Sequence, residues 1–158
     1  MFSDAHAVLD YFTEWMRQNQ RTGPLWIMGR SLGNAPASWA PQRSSGRIAG
    51  LVIESGFAHT HDLLMRLGIN PEWIGLSNRA VFQRRKTLRF AGPTLIIHGE
   101  YDQIIPLSHA RDLHDRSPAA RKKTLHIIPN ADHNSLMMVG GRTYFEIIRD
   151  CSLHSDTE

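Results

Sequence analysis

Cysteine is nearly absent: Cys151 is the single one in 158 residues. No internal disulfide can form, so burial and hydrogen bonding must hold the fold, which suits a reducing compartment and an expected cytoplasmic location. Long apolar runs are missing too. Hydrophobic stretches stop at four or five residues, against roughly 20 for a membrane-spanning helix. Met1 to Asp10 has neither a basic segment nor an apolar stretch, so no secretory signal is expected there. Charge is not one-sided either, with 18 Lys and Arg against 15 Asp and Glu. Arg84-Arg85-Lys86 with Arg89, and Arg121-Lys122-Lys123, are short basic clusters with little aromatic interleaving beyond Phe82 and Phe90. They read as solvated surface, and no nucleic-acid partner is expected. What remains, 41% hydrophobic and 21% charged residues, is the composition of one soluble domain spanning 1–158.

The apolar residues repeat in two alternating patterns. Val8, Leu9, Phe12, Trp15 and Met16 share a helical face over 4–18, with Ser3 as expected N-cap. After Gly23-Pro24, residues 25–28 read as a buried strand, followed by a helix over 32–40 in which Pro36 is tolerated only near the first turn. Strands are expected at 48–53, 94–98 and 124–128, and helices at 76–87 and 108–116. Between Glu54 and Gly75, repeated Gly and Pro predict loop with one or two short helices. Tyr144, Ile147, Ile148 and Cys151 give a closing helix its apolar face. Apolar strands separated by helices imply an α/β fold: about four parallel strands with helices on both faces. Such a sheet collects its chemistry at the carboxyl ends of the strands.

Three chemically capable residues follow strand ends. Ser31 lies in Gly29-Arg30-Ser31-Leu32-Gly33, a G-x-S-x-G turn between strand and helix. Asp102 follows the third strand and His133 the fourth. A serine hydroxyl is a weak nucleophile until an imidazole takes its proton and a carboxylate orients that imidazole. Ser31, Asp102 and His133 are therefore the expected catalytic set, and activity is expected to rise with pH as the imidazole loses its proton. Gly29 and Gly33 are expected to leave no room for a side chain where strand and helix approach. Glu100 lies close to Asp102 but earlier in the turn, and Glu54 is a possible substitute acid whose expected role is to cap the next loop. His126 falls within a strand, and His109 and His114 fall on a helix. His59-x-His61-Asp62 lacks a third ligand at a recognisable spacing, so no metal is expected. No cofactor is expected, because the triad and an oxyanion site suffice. Phe57, Ile104 and Ile105 follow strand ends and are expected to line an acyl pocket.

The chain resembles the α/β-hydrolase superfamily, in its Bem46-like and serine-aminopeptidase-like branch. The likeness is carried by Ile27 to Gly33, Ile53 to Phe57, Pro93 to Pro106 and Ile128 to Asn134. It implies a hydrolase of esters, thioesters or amides acting through an acyl-enzyme on Ser31, with the Leu32 N–H as an oxyanion donor. In that family the serine turn follows the fifth of eight strands, so this chain resembles the carboxyl-terminal half. The resemblance leaves four strands and the loop with the second oxyanion donor unmatched. Weak activity, and self-association through an unpaired strand at 25–28, are the expected consequences. The alternative is a non-catalytic interaction module or a gene fragment.

Overall fold

The structure is a computed structural model that describes residues 2–40, 48–74, 90, 92–117 and 122–153. Its elements in chain order are α1 (Phe2–Gln18), β1 (Leu25–Arg30), α2 (Asn34–Trp39), β2 (Ile48–Glu54) and α3 (Thr60–Arg66). Then follow β3 (Thr94–Gly99), α4 (Leu107–Asp115), β4 (Lys123–Ile128) and α5 (Leu136–Leu153). Short 3-10 turns occupy Ser31–Gly33 and Pro71–Ile74. The helix expected over 76–87 lies outside the described residues.

The four strands form one parallel sheet in the order β1-β2-β3-β4. Side chains of a strand alternate between faces, and the two central strands are apolar at nearly every position. One face carries Val52, Leu95 and Ile97 and packs with Ile128, Leu136 and Tyr144, so α5 covers it. The other carries Leu51, Ile53 and Ile96 and packs with Ala37 of α2 and Ala110 and Leu113 of α4. Helices therefore lie on both faces.

Several local expectations need correction. Helix α1 begins at Phe2, so Ser3 sits inside it and does not cap it; its hydroxyl donates to Asp4 Oδ1 at 3.3 Å. The segment 32–40 opens as a 3-10 turn and becomes α-helical only at Asn34. Pro36 then falls in the first turn of α2, where the N–H it lacks has no helical acceptor. The apolar face of α1 is mostly uncovered: Leu9 is buried, but Val8 is 67% and Phe12 42% exposed. Among the described residues β1 is an outer strand of the sheet, and α1 leans on α2, where His6 stacks on Trp39.

The two glycines of the serine turn differ. A Cβ on Gly29 would sit 2.5 Å from Ala37 Cβ and 2.6 Å from the Gly33 carbonyl oxygen, so β1 and α2 can meet only because the side chain is missing. A Cβ on Gly33 would meet nothing within 4 Å, and its φ of −66° is ordinary helical backbone. The expected clash at Gly33 does not exist. Gly29→Val is predicted to abolish the cooperative urea transition, whereas Gly33→Ala should be neutral or stabilising by about 0.4–1 kcal/mol.

Candidate active site

β1 ends at Arg30, whose φ and ψ of −105° and 136° are those of a strand. The next residue, Ser31, turns to φ +51°. Non-glycine residues seldom adopt this left-handed backbone and do so where surrounding structure enforces it. Here the enforcement is the abrupt change from strand to helix, with the Asn34 N–H closing the turn on the Ser31 carbonyl. Leu32 follows directly and is 59% exposed.

Asp102 lies in the turn after β3 and is buried. Its Oδ1 accepts the N–H groups of Ile104 at 3.1 Å and Ile105 at 2.8 Å. Its Oδ2 lies 2.7 Å from His133 Nδ1. His133, in the loop between β4 and α5, is also buried, and its Nε2 lies 3.0 Å from Ser31 Oγ. The three residues thus form one hydrogen-bonded chain. An ionised Asp102 can only accept, so Nδ1 carries the proton and Nε2 offers a lone pair to the serine hydroxyl. Such a chain can draw the proton from Ser31 as oxygen attacks an electrophile.

The two loops that carry Asp102 and His133 brace each other. The Tyr101 N–H donates to the Ala131 carbonyl at 2.9 Å, and the Asn130 N–H donates to Glu100 Oε2 at 3.1 Å. Glu100 therefore supports the loop while Asp102 faces the imidazole. Asp132 clasps the same loop through Ser135 and the Asn134 N–H, bonds that hold its carboxyl below the usual range.

Other sequence candidates sit elsewhere. Phe57 and Ile105 are buried in a small cluster with Ala35 and Leu63, so neither offers an open wall, whereas Ile104 is 41% exposed. His59 Nε2 pairs with Asp112 Oδ2 at 2.5 Å, and His61 with Asp62 at 3.4 Å. Among the described residues no three metal-ligating side chains converge. Glu54 bonds Arg30 and Tyr144. His98 carries more weight than its position inside an apolar strand suggests. Wholly buried, it donates from Nε2 to the Ile105 carbonyl at 2.7 Å, with Asp102 Oδ2 at 3.5 Å. It pins the turn that presents Asp102. The only sequence signal for it is a histidine four positions before the acid.

No family model matches the chain. The alpha/beta hydrolase domain-containing protein WAV2 of Arabidopsis thaliana is 23% identical over 92% of this chain and 51% of its own length. An uncharacterized membrane protein of Saccharomyces cerevisiae is 25% identical over 93% of this chain, again 51% of its own. The chain spans about half the length of these curated relatives. Among solved structures, a Pyrococcus horikoshii acylaminoacyl peptidase superposes with a TM-score of 0.72 at 18% identity, covering 98% of this chain and 28% of its own. A Paleococcus ferrophilus monoacylglycerol lipase gives a TM-score of 0.69 at 16% identity, covering 98% of this chain and 76% of its own. The chain has the α/β-hydrolase fold. Within that fold the Ser31, Asp102 and His133 loops all leave the carboxyl edge of the sheet. No helix among the described residues is long and apolar enough to cross a membrane.

Burial, above all, holds the His98 imidazole below its ordinary pKa, outweighing its bond to Ile105 and the nearby Asp102. The unfolded chain takes up this proton near about pH 6.5, the native chain only at lower pH. Between those values the unfolded state binds more protons, so stability must fall as pH drops below about 6.5. His98→Asn should flatten this dependence, read as urea midpoints across that range.

Proposed function

We propose that this chain is the carboxyl-terminal half-domain of a serine hydrolase that cleaves carboxylic ester, thioester or amide bonds. The observation that carries the reading is the chain Ser31 Oγ, His133 Nε2, His133 Nδ1, Asp102 Oδ2, with contacts of 3.0 and 2.7 Å. It stands on a strand-to-helix turn that holds Ser31 at positive φ. In the proposed reaction Ser31 Oγ attacks the acyl carbon while its proton passes to His133 Nε2. The developing oxyanion faces the Leu32 N–H. Collapse breaks the bond to the leaving alcohol, thiol or amine, which takes the proton from His133. Water then attacks the acyl-serine ester by the same path, releasing the acid and restoring the hydroxyl. No cofactor enters these steps. The esterases, lipase and peptidases that share the fold support acyl transfer as the chemistry. Ile104, the exposed member of the three expected wall residues, is the proposed contact for the acyl group.

A second oxyanion donor is proposed to come from strands that would complete the sheet beyond β1. Absence of one such donor lowers turnover by about 10² to 10³. The isolated chain should therefore react with a fluorophosphonate probe more readily than it turns over an ester. Labelling lost in Ser31→Ala is the expected result, and a folded protein that stays unlabelled would sink the enzyme reading.

A specific observation favours a second reading, association through the β1 edge. β1 is hydrogen-bonded on one side only among the described residues. A groove lined by Val8, Phe12, Trp26, Met28 and Pro36 runs between α1, β1 and α2, and Met28 is 46% exposed. An unpaired apolar strand edge recruits another strand. Light scattering should report a mass above the monomer that falls toward it in Met28→Lys; a monodisperse wild-type monomer would exclude self-pairing.

A further inference from the structure

Arg30, the peptide neighbour of Ser31, reaches across the site to the loop that carries His133. Its Nε donates to Glu54 Oε1 at 3.0 Å. Its Nη2 donates to the His133 backbone carbonyl at 2.8 Å and to Asn134 Oδ1 at 3.1 Å. The second carboxylate oxygen of Glu54 accepts the hydroxyl of Tyr144 on α5. Four segments meet in this one network: the end of β1, the end of β2, the His133 loop and the part of α5 that follows its kink at Gly141.

The bonds form in the order that physical chemistry demands. Glu54 is buried, and a buried carboxylate needs partners on both oxygens. Parallel register places Arg30 directly opposite Glu54, so the first partner is supplied by the strand ladder itself. Tyr144, also buried, supplies the second and has its hydroxyl held in the protonated, donating form by burial and by Glu54. With Glu54 anchored, the guanidinium plane is fixed and its outer nitrogen has one direction to point, toward residues 133 and 134. The planar fork of arginine suits this double task, which a lysine can perform only in part.

Stability alone does not account for the arrangement. The Arg30 side chain is 46% exposed while Glu54 is buried, so the ion pair satisfies that carboxylate, whereas the bonds from Nη2 to the His133 loop are not needed for it. Two of the three guanidinium nitrogens, Nε and Nη2, are engaged within the protein. What the network sets is a distance. Ser31 and His133 are 102 positions apart in sequence, and their side-chain contact is matched by a second tie, from the side chain of the residue beside one to the backbone carbonyl of the other. We infer that Arg30, oriented by Glu54 and Tyr144, is a positioning residue that sets the separation of Ser31 Oγ and His133 Nε2.

This inference rests on the serine-hydrolase reading for its consequence in rate, so its test has one arm that needs no reactivity. In the full-length chain, fluorophosphonate labelling is resolved into the probe's binding constant and its maximal rate, and the His133 Nδ1–H proton is followed by NMR. Arg30→Met should lower the maximal labelling rate about 10- to 100-fold with the binding constant unchanged, and broaden or erase the Nδ1–H resonance. Arg30→Lys should restore both in part. Tyr144→Phe, which removes a single oxygen, should move both the same way by less, and the double variant should be no worse than Arg30→Met alone. Should Arg30→Met fail to fold, Tyr144→Phe carries the test. A merely structural role predicts a shifted urea midpoint with labelling rate and resonance intact, and that outcome overturns the proposal. If the wild-type chain does not label at all, the hydrolase reading fails, while the Nδ1–H resonance still decides the clamp: lost in Arg30→Met supports it, retained overturns it.

Discussion

Parallel hydrogen-bonded register is the constraint on which the rest of the molecule depends. Arg30 pairs with Glu54, Glu54 with Ile97, and Gly99 with Ile128, so all four strands end near one line. Parallel neighbours require a crossover for each return, and every crossover leaves from that same edge. The loops holding Ser31, Asp102 and His133 are thereby gathered without any one of them having to be long. The buried apolar residues on both faces of β2 and β3 make the register hard to shift, because a one-residue slip would turn every core side chain to the wrong face.

Around that edge the polar groups are arranged by what each can donate or accept. Asp102 accepts two backbone N–H groups on one oxygen and faces an imidazole with the other. His98, equally buried, is kept neutral, and its single donated bond goes to a carbonyl rather than to the acid. Tyr144 stays protonated beside Glu54. Two of the buried donors at this edge, His98 and Tyr144, are thus neutral, whereas Arg30 meets Glu54 as an ion pair whose guanidinium is part-exposed.

Much of this was legible in the sequence, for physical reasons. Runs such as Leu51 to Ile53 and Leu95 to Ile97 are strands because nothing else buries short continuous apolar segments on two faces, and residues just beyond such runs fall at the sheet edge. The placement of Ser31, Asp102 and His133 just past strand ends follows from that rule. The strands run past their apolar stretches because Arg30, Glu54 and Gly99 continue the ladder without being apolar. Burial of Phe57 and Ile105 is not legible from position after a strand, which says where the backbone goes and not which way the side chain turns. The Arg30, Glu54 and Tyr144 network left no local trace: its bonds join residues 24, 90 and 103 positions apart, and no periodicity connects them. Gly29 and Gly33 look equivalent in the pentapeptide, yet only the three-dimensional approach of Ala37 separates them.

The hydrogen-bonded chain from Ser31 to His133 is drawn entirely from one continuous stretch, with every brace described for Asp102 and His133 on the same side of the open β1 edge. Among the described residues, the hydrogen bonds that set the distances between these three side chains all run on the β2 side of β1, so the edge that β1 leaves open carries none of them.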